Sequence, residues 1–155
     1  KPTSISWFNE YRNDETPRKI VTPHDFLAEE TSQEEVFQTV AADLVETVAT
    51  GTSATVLVLG AMGTGRRYTT FGSDSAPGLL PRCLAYLDDC CMRQKALHGY
   101  DFTFACSMLR MTQHKVEDML AERDESRQRR VRESPACGPF VEGLTVMPVN
   151  KPQDA

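Results

Sequence analysis

Gly60, Gly63 and Gly65 fall within six residues, and Arg66 and Arg67 follow at once. Bare glycines let successive backbone N–H groups converge on an anion, and a helix that starts directly after them adds the partial positive charge of its N-terminus. The chemistry this arrangement suits is the holding of phosphate. The phosphate-loop pattern is G-x-x-x-x-G-K-S/T. Gly60 and Gly65 fill its glycine positions, while Arg66 stands at the lysine and Arg67 at the hydroxyl residue. The candidate ligand-holding residues are therefore Gly60, Gly63, Thr64, Gly65, Arg66, Arg67 and Tyr68. No residue is assigned a catalytic role and none is assigned to a metal. Taken alone, a glycine-rich turn between a strand and a helix is often only a turn.

The two arginines change what the loop could do. The usual lysine places a compact ammonium among the phosphates. Arg66 keeps the charge but spreads it over a planar fork. The usual serine or threonine gives an oxygen to Mg²⁺. Arg67 has no oxygen and brings a second cation. Like charges about 4 Å apart repel by roughly 4 kcal/mol at an effective dielectric near 20, and a divalent ion doubles that. Magnesium in its ordinary place is therefore not expected, whereas a nucleotide such as ATP could bind through arginine charge.

The elements around the loop follow from pattern. Thr55 to Leu59 is an apolar run that reads as a buried strand ending at Gly60, and Thr64 to Phe71 supplies helical turns after the loop. Upstream, Ser32 and Glu35 form a capping box. Behind it Val36, Phe37, Val40, Ala41, Leu44, Val45 and Val48 recur at helical spacing until Gly51, which predicts one amphipathic helix over 33–50. Ser73 to Pro77 reads as a loop. A further helix opens at Gly78, with Leu80, Leu84 and Leu87 on one face, and ends near His98 and Gly99. Tyr100 to Met111 is strand-like, Lys115 to Leu120 a short helical or turn segment, and Glu122 to Arg132 polar and exposed. Val131 to Val149, broken by proline and glycine, suits a hairpin. Residues 1–24 read as largely irregular, with a short strand near Lys19 to Val21. Tyr68, Thr69 and Pro81 read as supports of the loop.

Composition narrows the function classes. The chain has 155 residues, 40% hydrophobic and 25% charged, and a net charge of −5, which argues against a general nucleic-acid binder. No apolar run approaches the roughly 20 residues of a membrane span. Lys1 to Arg12 lacks the apolar core of a secretory leader. The first residue is not methionine, so a piece of a longer chain is expected. Five cysteines, Cys83, Cys90, Cys91, Cys106 and Cys137, without C-x-x-C, indicate free thiols in a reducing compartment. Neighbouring Cys90 and Cys91 on a helix point apart and do not converge with His98 on a metal. His24, His98 and His114 lack partner spacing and read as surface residues. Arg127, Arg129, Arg130 and Arg132, flanked by Asp124, Glu125 and Glu133, read either as a solvated loop or as a contact for an acidic partner.

In order along the chain, these pieces resemble the N-terminal half of a kinesin motor domain. Thr31 to Phe37 is similar to the family's sQeeVF helix start. Gly60 to Tyr68 is similar to GQTGSGKTY, and Tyr68 to Gly72 to YTMxG. Gly78 to Arg82 matches GIIPR. Ser107, Leu109, Lys115, Val116, Asp118 and Leu120 parallel SYLEIYNEKVYDLL. Val131 to Glu133 and Val141 to Val149 parallel VREd…VEGLTevpV. The departures are Arg66 and Arg67, Ala61 and Met62 for the family's Gln and Thr, and Arg110 for a Glu.

The resemblance implies an α/β, P-loop NTPase-like three-layer fold of which only the N-terminal half is present. It divides the chain into an irregular segment 1–19, an incomplete motor portion 20–150 and a tail 151–155. It implies ATP as cofactor, a microtubule as partner, no nucleic acid or membrane, and a cytoplasmic, cytoskeletal location that includes axonemes. The family's adenine-contacting RxRP strand is not recognisable here, and motifs resembling NxxSSRSH and DLAGSE lie outside these residues. The strand before the loop would then lack neighbours, and the remainder of a motor domain, or subunits of a cytoskeletal assembly, would have to complete it. Two readings follow: a pseudo-motor that binds microtubules without turnover, and an active ATP-dependent motor completed by further sequence. Arg129, Arg130 and Arg132 are the candidate microtubule contacts, because the family's matching segment lies near the filament and tubulin is acidic.

Overall fold

The structure is a computed structural model and describes residues 5–6, 20–21, 25, 27–122, 128–136 and 138–152. Arg127, Asp124, Glu125, His24, Cys137 and the end of the tail lie outside them. Near the start, β1 (Ile5–Ser6) pairs antiparallel with β2 (Ile20–Val21), where the sequence suggested a short strand.

The capping box forms as expected. The Glu35 N–H donates to Ser32 Oγ at 3.2 Å, and the Ser32 N–H donates to Glu35 Oε2 at 2.9 Å. These bonds from Ser32 hold the Glu35 carboxyl below its ordinary pKa. The helix that follows is not continuous. It is α1 (Gln33–Val40) and α2 (Ala42–Ala49), separated at Ala41, where φ is −126° and ψ −24°. The bend falls at two small residues, Ala41 and Ala42, both packed into the core. Bonds from Ala41 N to Phe37 O and from Val45 N to Ala41 O bridge it, so the apolar period survives. Gly51, with φ +97°, ends α2.

Residues 52–60 correct the expectation of a buried strand. They form no ladder, and Leu57 and Leu59 are 76% and 83% exposed. The residue types suit a strand, but a strand exists only through neighbours, and no described segment pairs with this one.

After the glycine loop come α3 (Arg66–Phe71), then β3 (Gly72–Ser73) and β4 (Ala76–Pro77) as a small hairpin, then α4 (Leu79–His98). The hairpin occupies the stretch read as a loop. It closes tightly: Gly78 N donates to Phe71 O at 3.0 Å. A Cβ at Gly78 would sit 2.7 Å from Thr69 O, and one at Gly72 would collide with Ala76 O, so both positions require glycine. Helix α4 stops at Gly99, φ +71°, whose N–H reaches Lys95 O. Of the expected Leu80, Leu84 and Leu87, Leu87 packs on the core and Leu80 does not. Leu79, Cys83, Tyr86 and Cys90 turn in with Leu87, and Leu80 is exposed, because Leu79 rather than Leu80 meets Phe37 and Ala41.

The core is where α1 and α2 meet α4: Phe37, Ala41, Ala42 and Leu79 at one end, Val45, Ala49 and Cys90 at the other. Burying a side chain the size of Phe37 or Leu79 contributes about 1.5–3 kcal/mol. Phe37 and Tyr86 meet edge to face at 5.7 Å, Tyr86 Oη donates to Glu46 Oε1 at 2.5 Å, and Arg82 pairs with Glu34. Cys90 and Cys91 are buried and Cys83 and Cys106 half-buried, all as free thiols.

The rest is antiparallel sheet. Strands β5 (Phe104–Cys106) and β10 (Met147–Val149) pair with each other. Strands β6 (Leu109–Met111), β7 (Val116–Asp118), β8 (Gln128–Ser134) and β9 (Gly138–Glu142) form a four-stranded meander in chain order. The β8–β9 hairpin fits the expectation for the chain's end. Strand β7 corrects the helical or turn assignment of Lys115 to Leu120. Thr112 N donates to Lys115 O, reversing the chain, and Met111 then pairs with Val116 across the ladder. The segment Glu122 to Arg132 is likewise part strand, from Gln128 onward.

Candidate phosphate-binding loop

The loop turns on itself between Gly60 and Gly65. Thr64 Oγ1 donates to Ala61 O at 2.8 Å, and a Cβ at Gly60 would meet that hydroxyl oxygen at 2.6 Å. Gly63 and Gly65 both take φ +81°, a conformation L side chains resist. Gly65 is the N-cap of α3, which has no capping side chain, and its carbonyl accepts from Thr69 N at 2.9 Å. A concavity of about 340 Å³ opens here, lined by Met62, Gly63, Gly65, Arg66 and Arg67.

Of the sequence-predicted loop residues, Gly63, Gly65, Arg66 and Arg67 line this concavity, whereas Gly60, Thr64 and Tyr68 do not. Arg66 and Arg67 are exposed, and no described carboxylate pairs with either. The stem of Arg66 runs beside Gly60, with Cγ 3.4 Å from where a Cβ would be. Tyr68 is half exposed and its ring faces outward, but its carbonyl accepts from Gln33 Nε2 at 2.9 Å. Gln33 is buried, and its Oε1 has no partner. It thus fixes the loop helix to the start of α1. Sequence reasoning missed this role. The signal was a glutamine directly after the N-cap, on the side of the helix that turns inward.

No group of three His, Cys, Asp or Glu side chains able to hold a metal occurs among the described residues. The hydroxyls of Thr64 and Thr70 donate to the carbonyls of Ala61 and Arg66. At the position where a phosphate loop offers a metal its oxygen stands Arg67. The donors present fit an anion and do not fit a divalent cation.

The three arginines of β8 separate by the alternation of a strand. Arg129 turns inward, its guanidinium 3.3 Å from Asp118 Oδ2. Arg130 is exposed opposite Glu142, and Arg132 Nε donates to Glu142 Oε2 at 3.0 Å. Asp118 is fully buried. Burial alone would raise its pKa, but bonds from Thr145, Leu120 and Ala121 N–H groups, with Arg129 beside it, hold it at about 2. Asp118 therefore joins β7, β8 and the turn before β10. His98 and His114 are exposed.

The helices, the glycine loop and the antiparallel sheet define an α/β fold, of which a motor domain is one elaboration. The family profile described as the kinesin motor domain matches residues 8–155, and the chain belongs to that family. Human kinesin-like protein KIF14 is 33% identical over 119 residues, covering 74% of this chain and 7% of that protein. Mouse chromosome-associated kinesin KIF4 is 34% identical over 131 residues, covering 79% of this chain and 10% of that protein. A solved KIF14 dimer, in a two-heads-bound state with AMP-PNP in complex with a microtubule, superposes with a TM-score of 0.70 at 28% identity. The match covers 80% of this chain and 35% of the solved one. The chain thus spans a tenth or less of these two curated relatives. No helix among the described residues is long and apolar enough to cross a membrane.

Proposed function

We propose that this chain is the microtubule-associated portion of a kinesin-like motor whose loop holds ATP-type polyphosphate by arginine charge, without magnesium and without turnover. The observation that carries it is Arg67, a cation without an oxygen at the metal ligand's position, lining the same cavity as Arg66 and two left-handed glycines. Two guanidinium groups that no described carboxylate pairs offset part of the charge that a divalent ion would otherwise neutralise. The loop's role is to bind and orient phosphate oxygens through N–H groups and these side chains. Isothermal titration of ATP in EDTA, repeated with Mg²⁺, tests the reading. Binding in EDTA that Mg²⁺ does not strengthen is the expected result, and strictly Mg²⁺-dependent binding overturns it.

Tubulin is the proposed partner, approached by the outward arginines Arg130 and Arg132, at axonemal or other microtubules. Arg129 contributes by holding the sheet through Asp118. The second reading, an active motor completed by the rest of a motor domain, is favoured by the family itself. A microtubule-stimulated ATPase assay separates the two: turnover above background supports the second.

A further inference from the structure

Arg82 stands on the first turn of α4 and touches two other elements at once. Its Nη1 pairs with Glu34 Oε2 on α1, and its Nε donates at 2.9 Å to Pro77 O, at the end of β4. Glu34 is itself steadied, because Gln38 Nε2 donates to its Oε1 at 3.1 Å. The guanidinium fork allows both bonds. A lysine carries one point of charge and cannot lie along two acceptors in a fixed plane.

The carbonyl that Arg82 holds belongs to the Pro77–Gly78 peptide unit, and the N–H of that same unit donates to Phe71 O at 3.0 Å. Carbonyl and N–H of a trans peptide point to opposite sides, so Arg82 and the end of α3 grip one plane from its two edges. A charged donor on the carbonyl polarises the unit and strengthens the bond that its N–H makes. Phe71 is the last residue of α3 and Arg66 the first. Bonds from Thr69 N to Gly65 O and from Thr70 Oγ1 to Arg66 O tie the two ends together. Rotation of the Pro77–Gly78 plane would release α3 about 7.5 Å along its axis from Arg66. Consecutive residues of α1 thus hold α3 twice, Gln33 directly at Tyr68 O and Glu34 by way of Arg82.

We propose that Arg82 is a positioning residue for the loop arginines. Pinned to α1 by Glu34, it fixes the Pro77–Gly78 peptide so that Gly78 N–H grips the end of α3, and so sets the direction in which Arg66 and Arg67 meet an anion. What the arginines meet rests on the phosphate reading. The grip on α3 does not, so the two can fail separately.

Hydrogen–deuterium exchange at the amides of 69–71 and calorimetric titration of ATP in EDTA, both on the 155-residue chain, test it. Arg82→Gln should quicken that exchange by about tenfold, the low end for one charge-assisted bond lost, and weaken ATP by about three- to tenfold. Arg93→Gln is the comparison. It removes another α4 cation, whose contacts are with Cys90, Glu46 and Tyr86. It should lower the melting temperature and leave exchange at 69–71 within about twofold. Glu34→Lys combined with Arg82→Glu restores an ion pair between α1 and α4 but puts no donor on Pro77 O. That pair should recover most of the melting temperature without recovering slow exchange or affinity. Recovery of all three assigns the effect to the ion pair alone and overturns the proposal. So does exchange at 69–71 that Arg82→Gln leaves unchanged, or that Arg93→Gln quickens equally. If the unaltered chain binds no ATP, the phosphate reading fails by itself, and exchange at 69–71 still decides the role of Arg82.

Discussion

Replacing Arg67 asks whether its charge has taken over from a metal. The side chain is exposed at the cavity, and Arg67→Ala breaks no ion pair among the described residues. A hydrogen bond between a guanidinium and a phosphate oxygen contributes about 1.5–3 kcal/mol. At about 1.4 kcal/mol per factor of ten, its loss weakens ATP binding in EDTA by roughly 10- to 150-fold. Solvent around an exposed side chain screens the interaction, which places the expected change near the lower end and makes it shrink further with salt. The assay is calorimetric titration at two ionic strengths. Arg67→Thr provides the second arm. It removes the cation and supplies the missing hydroxyl, so added Mg²⁺ should strengthen binding in this variant and not in the unaltered chain. An Arg67→Ala affinity in EDTA within about twofold of the starting value would refute the reasoning, being smaller than any charge-assisted bond. Equal Mg²⁺ dependence in the unaltered chain and Arg67→Thr would refute it too.

Three other expectations follow from named contacts. Asp118 has a folded pKa of about 2, below the ordinary carboxylate range, so its stabilising contribution is full above the unfolded pKa and is lost as pH falls through the folded one. Thermal melts from pH 5 to pH 2 should show an acid limb that Asp118→Asn flattens, with pH values taken from the carboxylate range. Gln33→Ala removes the bond to Tyr68 O, worth about 1 kcal/mol net, but also removes the buried Oε1 that has no partner. Chemical denaturation should therefore change by less than about 1 kcal/mol, while amide exchange in α3 quickens because the loop helix has lost its tether to α1. Charge reversal at Arg130 and Arg132 should weaken microtubule co-sedimentation and flatten its salt dependence, whereas reversal at Arg129 should first appear as a lower melting temperature.

What the sequence disclosed was local. The Ser32–Glu35 box, the stop at Gly99 and the glycine spacing of the loop each need only a few neighbouring residues, and all three appear in the structure. What it concealed depends on distant partners. Thr55 to Leu59 has the composition of a strand, but no local signal reports whether a neighbour will lie beside it. Lys115 to Leu120 passes for a turn until Met111 pairs with Val116 and Val116 with Arg129. Arg129 looked like one of three equivalent surface charges. Asp118, eleven residues upstream and buried, decides otherwise. The break at Ala41 was hidden because the apolar period runs through it unchanged. Within the loop, the arginine substitutions were plain from spacing alone, while the glutamine that anchors the following helix sits in the stretch similar to sQeeVF, which does not say what its side chain reaches.

The crossing of Gly72 and Gly78 has a mechanical consequence. With the backbones in direct contact, α3 cannot tilt without carrying the head of α4 with it. Helix α4 has 20 residues, which at 1.5 Å each makes a rod about 30 Å long. Because α4 is itself packed on α1 and α2 from Leu79 to Cys90, a displacement of the loop arginines would have to be taken up by the helical core and not by α3 alone.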